Sequence, residues 1–318
     1  MNSARIGVAG ANGAFGSKHL DALSQIENVQ VVAAMATTLE KANAVADKYS
    51  IPYRFDSYDE MLELAELDAV ILATPTQIHA EQGLKAMTAG KHVLIEIPMA
   101  DTLADSEALV EKQKQTGLVA MAGHVRRFNP SHQWIHNQIL AGELSIQQMD
   151  IQTYFFRRTN MNAKGEPRSW TDHLLWHHAC HSIDLFRYQT GEDVTEVHAI
   201  QGPVHPDLGI AMDMAILMKT GSGKLCTLSL SFNNHGPLGS YFRYICDKGT
   251  YIASYDDLFD GHNNQIDVSG VDVSLNGIEL INREFVSAIL EDREPNSSLQ
   301  QCLPAMKVMH EIERKMTP

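Results

Sequence analysis

Three histidines and a carboxylate crowd into the segment Trp176-His177-His178-Ala179-Cys180-His181-Ser182-Ile183-Asp184, inside a stretch from Leu174 to Tyr188 whose apolar spacing otherwise predicts a buried amphipathic helix. Taking that many titratable groups out of water is costly, and histidine changes charge near neutral pH, so the density points to proton transfer rather than packing. At about 3.6 residues per turn, His177, His181 and Asp184 fall on one face with His178 beside them. Such a face could present a general base drawn from His177, His178 and His181, with Asp184 orienting the base or balancing its charge. Cys180 projects roughly 100° from His181 on the same helix and reads as packing. The His177-x-x-x-His181 spacing would also suit zinc, but no glutamate of the His-Glu-x-x-His type accompanies it, and no metal is expected.

Cationic pairs flank this segment. Arg126-Arg127, Arg157-Arg158 and Arg168 stand out in a chain with 25 Lys and Arg against 39 Asp and Glu, a formal net charge of −14. That balance disfavours nucleic acid and anionic membrane as partners. Planar guanidinium groups suit a small dicarboxylate instead, while for at least two of the five an ordinary ion pair is the plainer reading. Trp170 and His173, in or beside the polar loop that precedes the histidines, could close a pocket over such a ligand.

Gly10-Ala11-Asn12-Gly13-Ala14-Phe15-Gly16 follows a short apolar strand and opens a helix, where glycines let backbone amides approach a pyrophosphate at the positive helix end. After the second strand, Met35-Ala36-Thr37-Thr38 offers no acidic residue for ribose hydroxyls. NADP is therefore expected ahead of NAD, with Thr37, Thr38 and Lys41 receiving its 2′-phosphate, although Thr38 could equally cap a helix. Two later strands end at Thr74-Pro75-Thr76-Gln77-Ile78-His79 and at Glu96-Ile97-Pro98, and crevices beside strand carboxyl ends are where doubly wound sheets hold ligands. Thr74, Pro75, Thr76, Glu96 and Ile97 join the cofactor candidates. His79 by itself reads as a surface residue at a helix start.

The elements that must position these groups follow a simple grammar. From residue 4 to about 123, apolar runs (Ile6-Ala9, Val29-Met35, Ala69-Ala73, Val93-Glu96, Val119-Ala122) alternate with helical stretches (Gly16-Leu23, Leu39-Tyr49, Ile78-Ala89, Leu103-Thr116), which implies a doubly wound parallel sheet. Beyond His124 come a short helix, a long strand from Ile146 to Phe156, the histidine helix, several alternating strands between Val194 and Tyr255, and helices over 276–292 and 298–315. The expected architecture is α/β: an N-terminal Rossmann domain, 1–123, then an α+β domain, 124–318, with an open, largely antiparallel sheet that could serve a dimer or higher homo-oligomer. The C-terminal helices could pack back on the N-terminal domain. The four cysteines are widely spaced, no signal peptide is evident, and no apolar run approaches the ~20 residues of a membrane span, so a cytoplasmic location is expected.

Taken together, Gly10 to Gly16, Ala73-Thr74-Pro75, Glu96-Ile97-Pro98, Gly123-His124-Val125-Arg126-Arg127-Phe128-Asn129-Pro130 and His177 to Asp184 resemble the glucose-fructose oxidoreductase and inositol dehydrogenase superfamily across the whole chain. In that family a glutamate-lysine-proline turn and an aspartate four residues before a histidine line the substrate site. Here Ile97 replaces the lysine and His177 stands where the aspartate is expected, with His181 retained. The segments Tyr154 to Arg158, Asn160 to Trp170 and Trp176-His177-His178, with Ile97, resemble more narrowly the branch acting on a ring-fission semialdehyde in bacterial protocatechuate 4,5-cleavage. That resemblance implies oxidation of a cyclic hemiacetal to 2-pyrone-4,6-dicarboxylate with NADP, the hydroxyl proton passing to a histidine. Two alternatives stand beside it: a sugar or polyol dehydrogenase of the same fold, and a dinucleotide-sensing protein without turnover. The retained and added histidines argue against the sensor, and the arginines against a neutral sugar.

Overall fold

The computed structural model describes residues 3–161, 165, 167–168, 171–270 and 277–316. The chain divides into two compact units, Met1–His124 with Ile278–Leu303, and Val125–Gly277 with Pro304–Pro318.

The first unit runs β1 (Ala4–Ala9), α1 (Ala14–Leu23), β2 (Val29–Met35), α2 (Leu39–Tyr49), β3 (Tyr53–Phe55), α3 (Tyr58–Leu62), β4 (Ala69–Leu72), α4 (His79–Thr88), β5 (His92–Ile95), α5 (Leu103–Thr116) and β6 (Ala120–Ala122). Its sheet is parallel, in the order β3-β2-β1-β4-β5-β6, so the winding reverses between β1 and β4. Every residue of β4 is buried, as expected for a central strand covered on both faces. Gly90 and Gly117 follow α4 and α5 with φ of +73° and +68°, the left-handed stop that their positions predict. The short β3 and α3 have no counterpart in the sequence reading, because a strand of three residues carries too little apolar pattern to stand out.

The second unit contains α6 (Pro130–Leu140), β7 (Ile146–Tyr154), a π-helical turn (Leu174–Ala179) continuing into α7 (Cys180–Thr190), then β8 (Val194–Gln201), β9 (Asp213–Thr220), β10 (Leu225–Ser231), β11 (Gly239–Cys246), β12 (Gly249–Ser254) and β13 (Asp257–Asp260). Its sheet has the order β13-β12-β11-β7-β10-β9-β8. All pairs are antiparallel except β7 with β10. Met214, Ile216 and Met218 of β9, Cys226, Leu228 and Leu230 of β10, and Phe242 and Tyr244 of β11 are buried on one face, while Leu217, Leu225 and Tyr241 on the other are exposed. One side of the sheet is therefore core and the other is open.

The chain then returns to the first unit with α8 (Ile278–Glu291), and α9 (Leu299–Met316) begins in that unit and ends in the second. Polar bonds hold the return: Asn282 meets His19 of α1, and Ser297 exchanges bonds with the Ala122 main chain at the end of β6. No helix among the described residues is long and apolar enough to cross a membrane.

Candidate active site

Four loops meet the carboxyl edge of the parallel sheet in the first unit: Gly10 after β1, Ala36 after β2, Thr74 after β4 and Glu96 after β5. The glycines of the first loop are demanded by space. A Cβ on Gly10, whose φ is +78°, would lie 2.4 Å from the Ala73 carbonyl oxygen, and one on Gly16 would lie 2.2 Å from the Gly10 oxygen. Gly13 caps α1 in extended conformation, with no side chain bonded to the helix's first amides and no acidic residue in its first turn. Asn12, Ala14 and Phe15 share this loop and helix start. Such a bare, positive helix end beside a close-packed glycine turn fits a pyrophosphate, so the residues present suit a nicotinamide dinucleotide.

At the end of β2, Ala36 is buried while Thr37 and Thr38 are exposed. Thr38 caps α2 by accepting the Lys41 amide at 3.3 Å, and the Lys41 ammonium stands 3.5 Å from the Thr37 hydroxyl. Beside β4, the Thr74 hydroxyl donates to Gln82 at 2.6 Å, Pro75 leads into a tight turn, Thr76–Ile78, and the Thr76 hydroxyl lies 3.4 Å from Asp101. His79 departs from its expected surface position. It is 1% exposed, with Nδ1 2.8 Å from the Pro98 carbonyl and Nε2 2.9 Å from the Thr74 carbonyl, and it staples the two loops together. Burial lowers its pKa, against the two carbonyls, which raise it. Glu96 bonds to His19 at 2.8 Å, Ile97 donates its amide to Glu96 Oε2 at 3.3 Å, and the Ile97–Pro98 peptide is cis.

In the second unit, the histidine segment is not a plain α-helix. Its first turn, Leu174–Ala179, is wound wider, as π-helix, and only from Cys180 does it tighten. Such turns recur at functional sites because they re-aim side chains. Here the wider turn separates His177 from Asp184, which the α-helical spacing places on one face. Asp184 is buried and forms a bidentate pair with Arg127, both bonds 2.7 Å long, with the guanidinium over the Tyr188 ring. Both Asp184 oxygens thus accept from Arg127, whatever else this carboxylate meets.

The carboxylate that gathers the histidines is Asp172. Its Oδ1 lies 3.1 Å from His178 Nε2 and 3.9 Å from His177 Nδ1, while Oδ2 accepts from Arg157 and, at 3.2 Å, from Arg168. Burial pushes this carboxyl upward, but the charge and hydrogen bond of His178, with the charges of Arg157 and His177, outweigh that and hold it well below the usual carboxylate range. Burial drives the His177 imidazole the other way, down to about 4. Its Nδ1 accepts the His173 amide at 2.9 Å, which places the ring hydrogen on Nε2 and makes His177 a donor at neutral pH. His178 is wedged between the rings of Phe155 and Phe232. His181 is half-buried at the second residue of α7, and Cys180 before it is fully buried, as its spacing suggests.

The five arginines part ways. Arg157 and Arg168 converge on Asp172. Arg126 is buried beside the sheet, bonded to Asn129 at 3.2 Å and lying over Phe242 and Tyr255. With Arg127 on Asp184, neither member of that pair has the exposed ligand-facing position that the sequence suggests, because a doublet opening a helix buries where helix and sheet meet. Arg158 is exposed, stacked over Phe156 and bonded to main-chain oxygens. His173 uses Nδ1 to cap the π turn through the Leu175 amide at 3.1 Å, so it shapes the histidine segment from its start. Trp170 lies outside the described residues.

Asp172 and His19 are buried titratable groups that sequence reasoning did not single out. Asp172 left a faint signal, a lone carboxylate between the arginine loop and the histidines; His19 sits unobtrusively on an apolar helix face.

Residues 4–124 match the oxidoreductase family with an NAD-binding Rossmann fold, and residues 130–272 match the C-terminal domain of bacterial oxidoreductases. A 4-carboxy-2-hydroxymuconate-6-semialdehyde dehydrogenase from Sphingobium sp. (strain NBRC 103272 / SYK-6) is 61% identical over 309 residues, covering 97% of this chain and 98% of that one. The chain belongs to the glucose-fructose oxidoreductase and inositol dehydrogenase superfamily. Members of this superfamily with solved structures share the fold at low identity. A scyllo-inositol dehydrogenase from Lactobacillus casei superposes with a TM-score of 0.82 at 20% identity, covering 99% of this chain and 97% of its own. A UDP-N-acetylglucosamine 3-dehydrogenase from Acidithiobacillus ferrooxidans gives 0.84 at 22%, covering 99% and 98%. The protein is thus an oxidoreductase whose Rossmann unit binds a nicotinamide dinucleotide.

Proposed function

We propose that this protein oxidises the cyclic hemiacetal of 4-carboxy-2-hydroxymuconate-6-semialdehyde to 2-pyrone-4,6-dicarboxylate, with NADP as acceptor, in protocatechuate 4,5-cleavage. The observation that carries this reading is the nearly end-to-end, 61% identity with the Sphingobium dehydrogenase of that substrate. The cluster around Asp172 supplies matching chemistry. Its guanidinium groups, on Arg157 and Arg168, suit a substrate carboxylate, and bidentate pairing would orient the ring.

In the reaction the hemiacetal carbon gives up a hydride and its hydroxyl gives up a proton, leaving a lactone carbonyl. The nicotinamide, when bound, takes the hydride. The protein must take the proton. His181, which the family pattern retains, is the assigned base; His177, its Nδ1 taken by the His173 amide and its hydrogen on Nε2, would donate to a substrate oxygen. NADP is favoured over NAD because β2 ends without a carboxylate and Lys41 stands beside Thr37. A second copy of the chain is the proposed occupant of the open sheet face, where Ile200, Leu217, Leu225 and Tyr241 are exposed; sedimentation should find a homo-oligomer, and Leu217→Lys should weaken it.

The test is reduction of the dinucleotide on addition of the semialdehyde, inositol or glucose, with NADP and NAD compared. Strong preference for the semialdehyde is expected. Preference for a polyol would overturn the reading, and binding of dinucleotide without turnover of any of the three would favour a sensor. His181→Ala should abolish turnover in a folded protein, and wild-type turnover would sink its assignment as base.

A further inference from the structure

We propose that His19 is a positioning residue of the dinucleotide site: its ring bridges Asn282 and the Glu96 carboxylate at the end of β5, and so ties that carboxylate to the helix whose N-terminus suits the pyrophosphate. The proposal rests only on the Rossmann unit being a dinucleotide site.

His19 is fully buried on α1, and both its ring nitrogens are engaged. Nδ1 lies 3.1 Å from Asn282 Oδ1 and Nε2 lies 2.8 Å from Glu96 Oε1. The Asn282 amide nitrogen donates to the Ile278 carbonyl at 2.8 Å, which turns its oxygen toward His19. His19 Nδ1 must then be the donor to Asn282. Nε2 and Glu96 Oε1 share the second hydrogen bond of the ring, and the Ile97 amide donates to the remaining Glu96 oxygen. Ile97 itself carries no proton to exchange.

Without the ring, Glu96 Oε1 loses its partner at 2.8 Å, and the carboxylate or α1 must move to find another. Glu96 has little room to yield, because the Gly123 main chain lies against it; a Cβ there would come 3.0 Å from Oε2. The alternative is a shift of α1. Gly16 packs so closely on the Gly10 carbonyl that such a shift carries the phosphate loop with it. Either movement disturbs the dinucleotide site. Nearby, His79 is pinned between the Pro98 and Thr74 carbonyls, and Asp101 approaches Thr76. Neither touches the His19 ring.

The experiment is a fluorescence titration with NADPH alone on the wild type, His19→Gln, Glu96→Gln and the double variant, with thermal melts to verify folding. His19→Gln should raise the Kd roughly tenfold, the effect of one lost hydrogen bond, and should cost nothing further in the Glu96→Gln background, as expected of a residue that acts through Glu96. A wild-type Kd in His19→Gln, or losses that add in the double variant, overturns the proposal. Should His19→Gln fail to fold, Glu96→Gln decides, since a wild-type Kd there also overturns it. Because no substrate is present, the outcome is independent of the semialdehyde reading.

Discussion

Replacing Asp184 by Asn separates two roles for this residue. The spacing of the histidine segment suggests a carboxylate that orients His181; the structure instead gives both its oxygens to Arg127, with the two side chains only 3% and 1% exposed. Removing one partner of a buried ion pair leaves the other as an uncompensated charge and costs about 3–5 kcal/mol. At roughly 2–4 °C per kcal/mol for a unit of this size, Asp184→Asn should melt on the order of 10 °C below the wild type. Replacing both partners by apolar residues, Arg127→Met with Asp184→Leu, removes the stranded charge and should cost far less than the two single changes added together. The assay is a double-mutant cycle on urea or thermal unfolding. Additive losses, or an Asp184→Asn protein that melts with the wild type and lacks only turnover, would refute the structural reading and restore the catalytic one.

Other perturbations probe the remaining groups. The His177 pKa lies near 4 in the folded protein against an ordinary 6.5, so as pH falls through this window the unfolded chain takes up a proton that the folded chain does not. Stability is therefore lost on acidification, on the order of 3 kcal/mol from this ring, and His177→Gln should flatten the stability profile between those values. Depression of the Asp172 pKa acts at lower pH, giving stability that is present above the ordinary carboxylate range and lost beneath it. Gly10→Ala should abolish dinucleotide binding because its Cβ collides with the Ala73 carbonyl; Gly90→Ala, which meets open space but also has positive φ, should cost about 1 kcal/mol and spare binding. Thr38→Ala should lose about 1 kcal/mol of helix capping. Lys41→Gln should raise KM for NADP more than for NAD, as calorimetry or kinetics with the two dinucleotides would reveal.

Much of the frame was legible in local pattern. Short apolar runs separated by helical periods identify the parallel sheet, and glycines placed where backbone must approach backbone mark the phosphate loop; Gly10 and Gly16 have no room for any other residue. These signals survive in one dimension because each depends on residues a few positions apart. The unexpected pairing of β7 with β10 joins strands separated by the whole histidine segment, and no local periodicity reports it.

For the same reason the sequence by itself determined which residue types are concentrated near the chemistry: histidines in one segment, arginines before it, and no lysine at Ile97. Only tertiary structure decided their partners. Asp172 collects Arg157, Arg168 and His178, Arg127 takes Asp184, and His19 meets Glu96 across 77 positions of chain. A charge is stabilised by whatever lies within a few ångströms of it in space, and the same Asp184 that looks like a histidine's neighbour on a helical wheel is, once the helix packs, an arginine's.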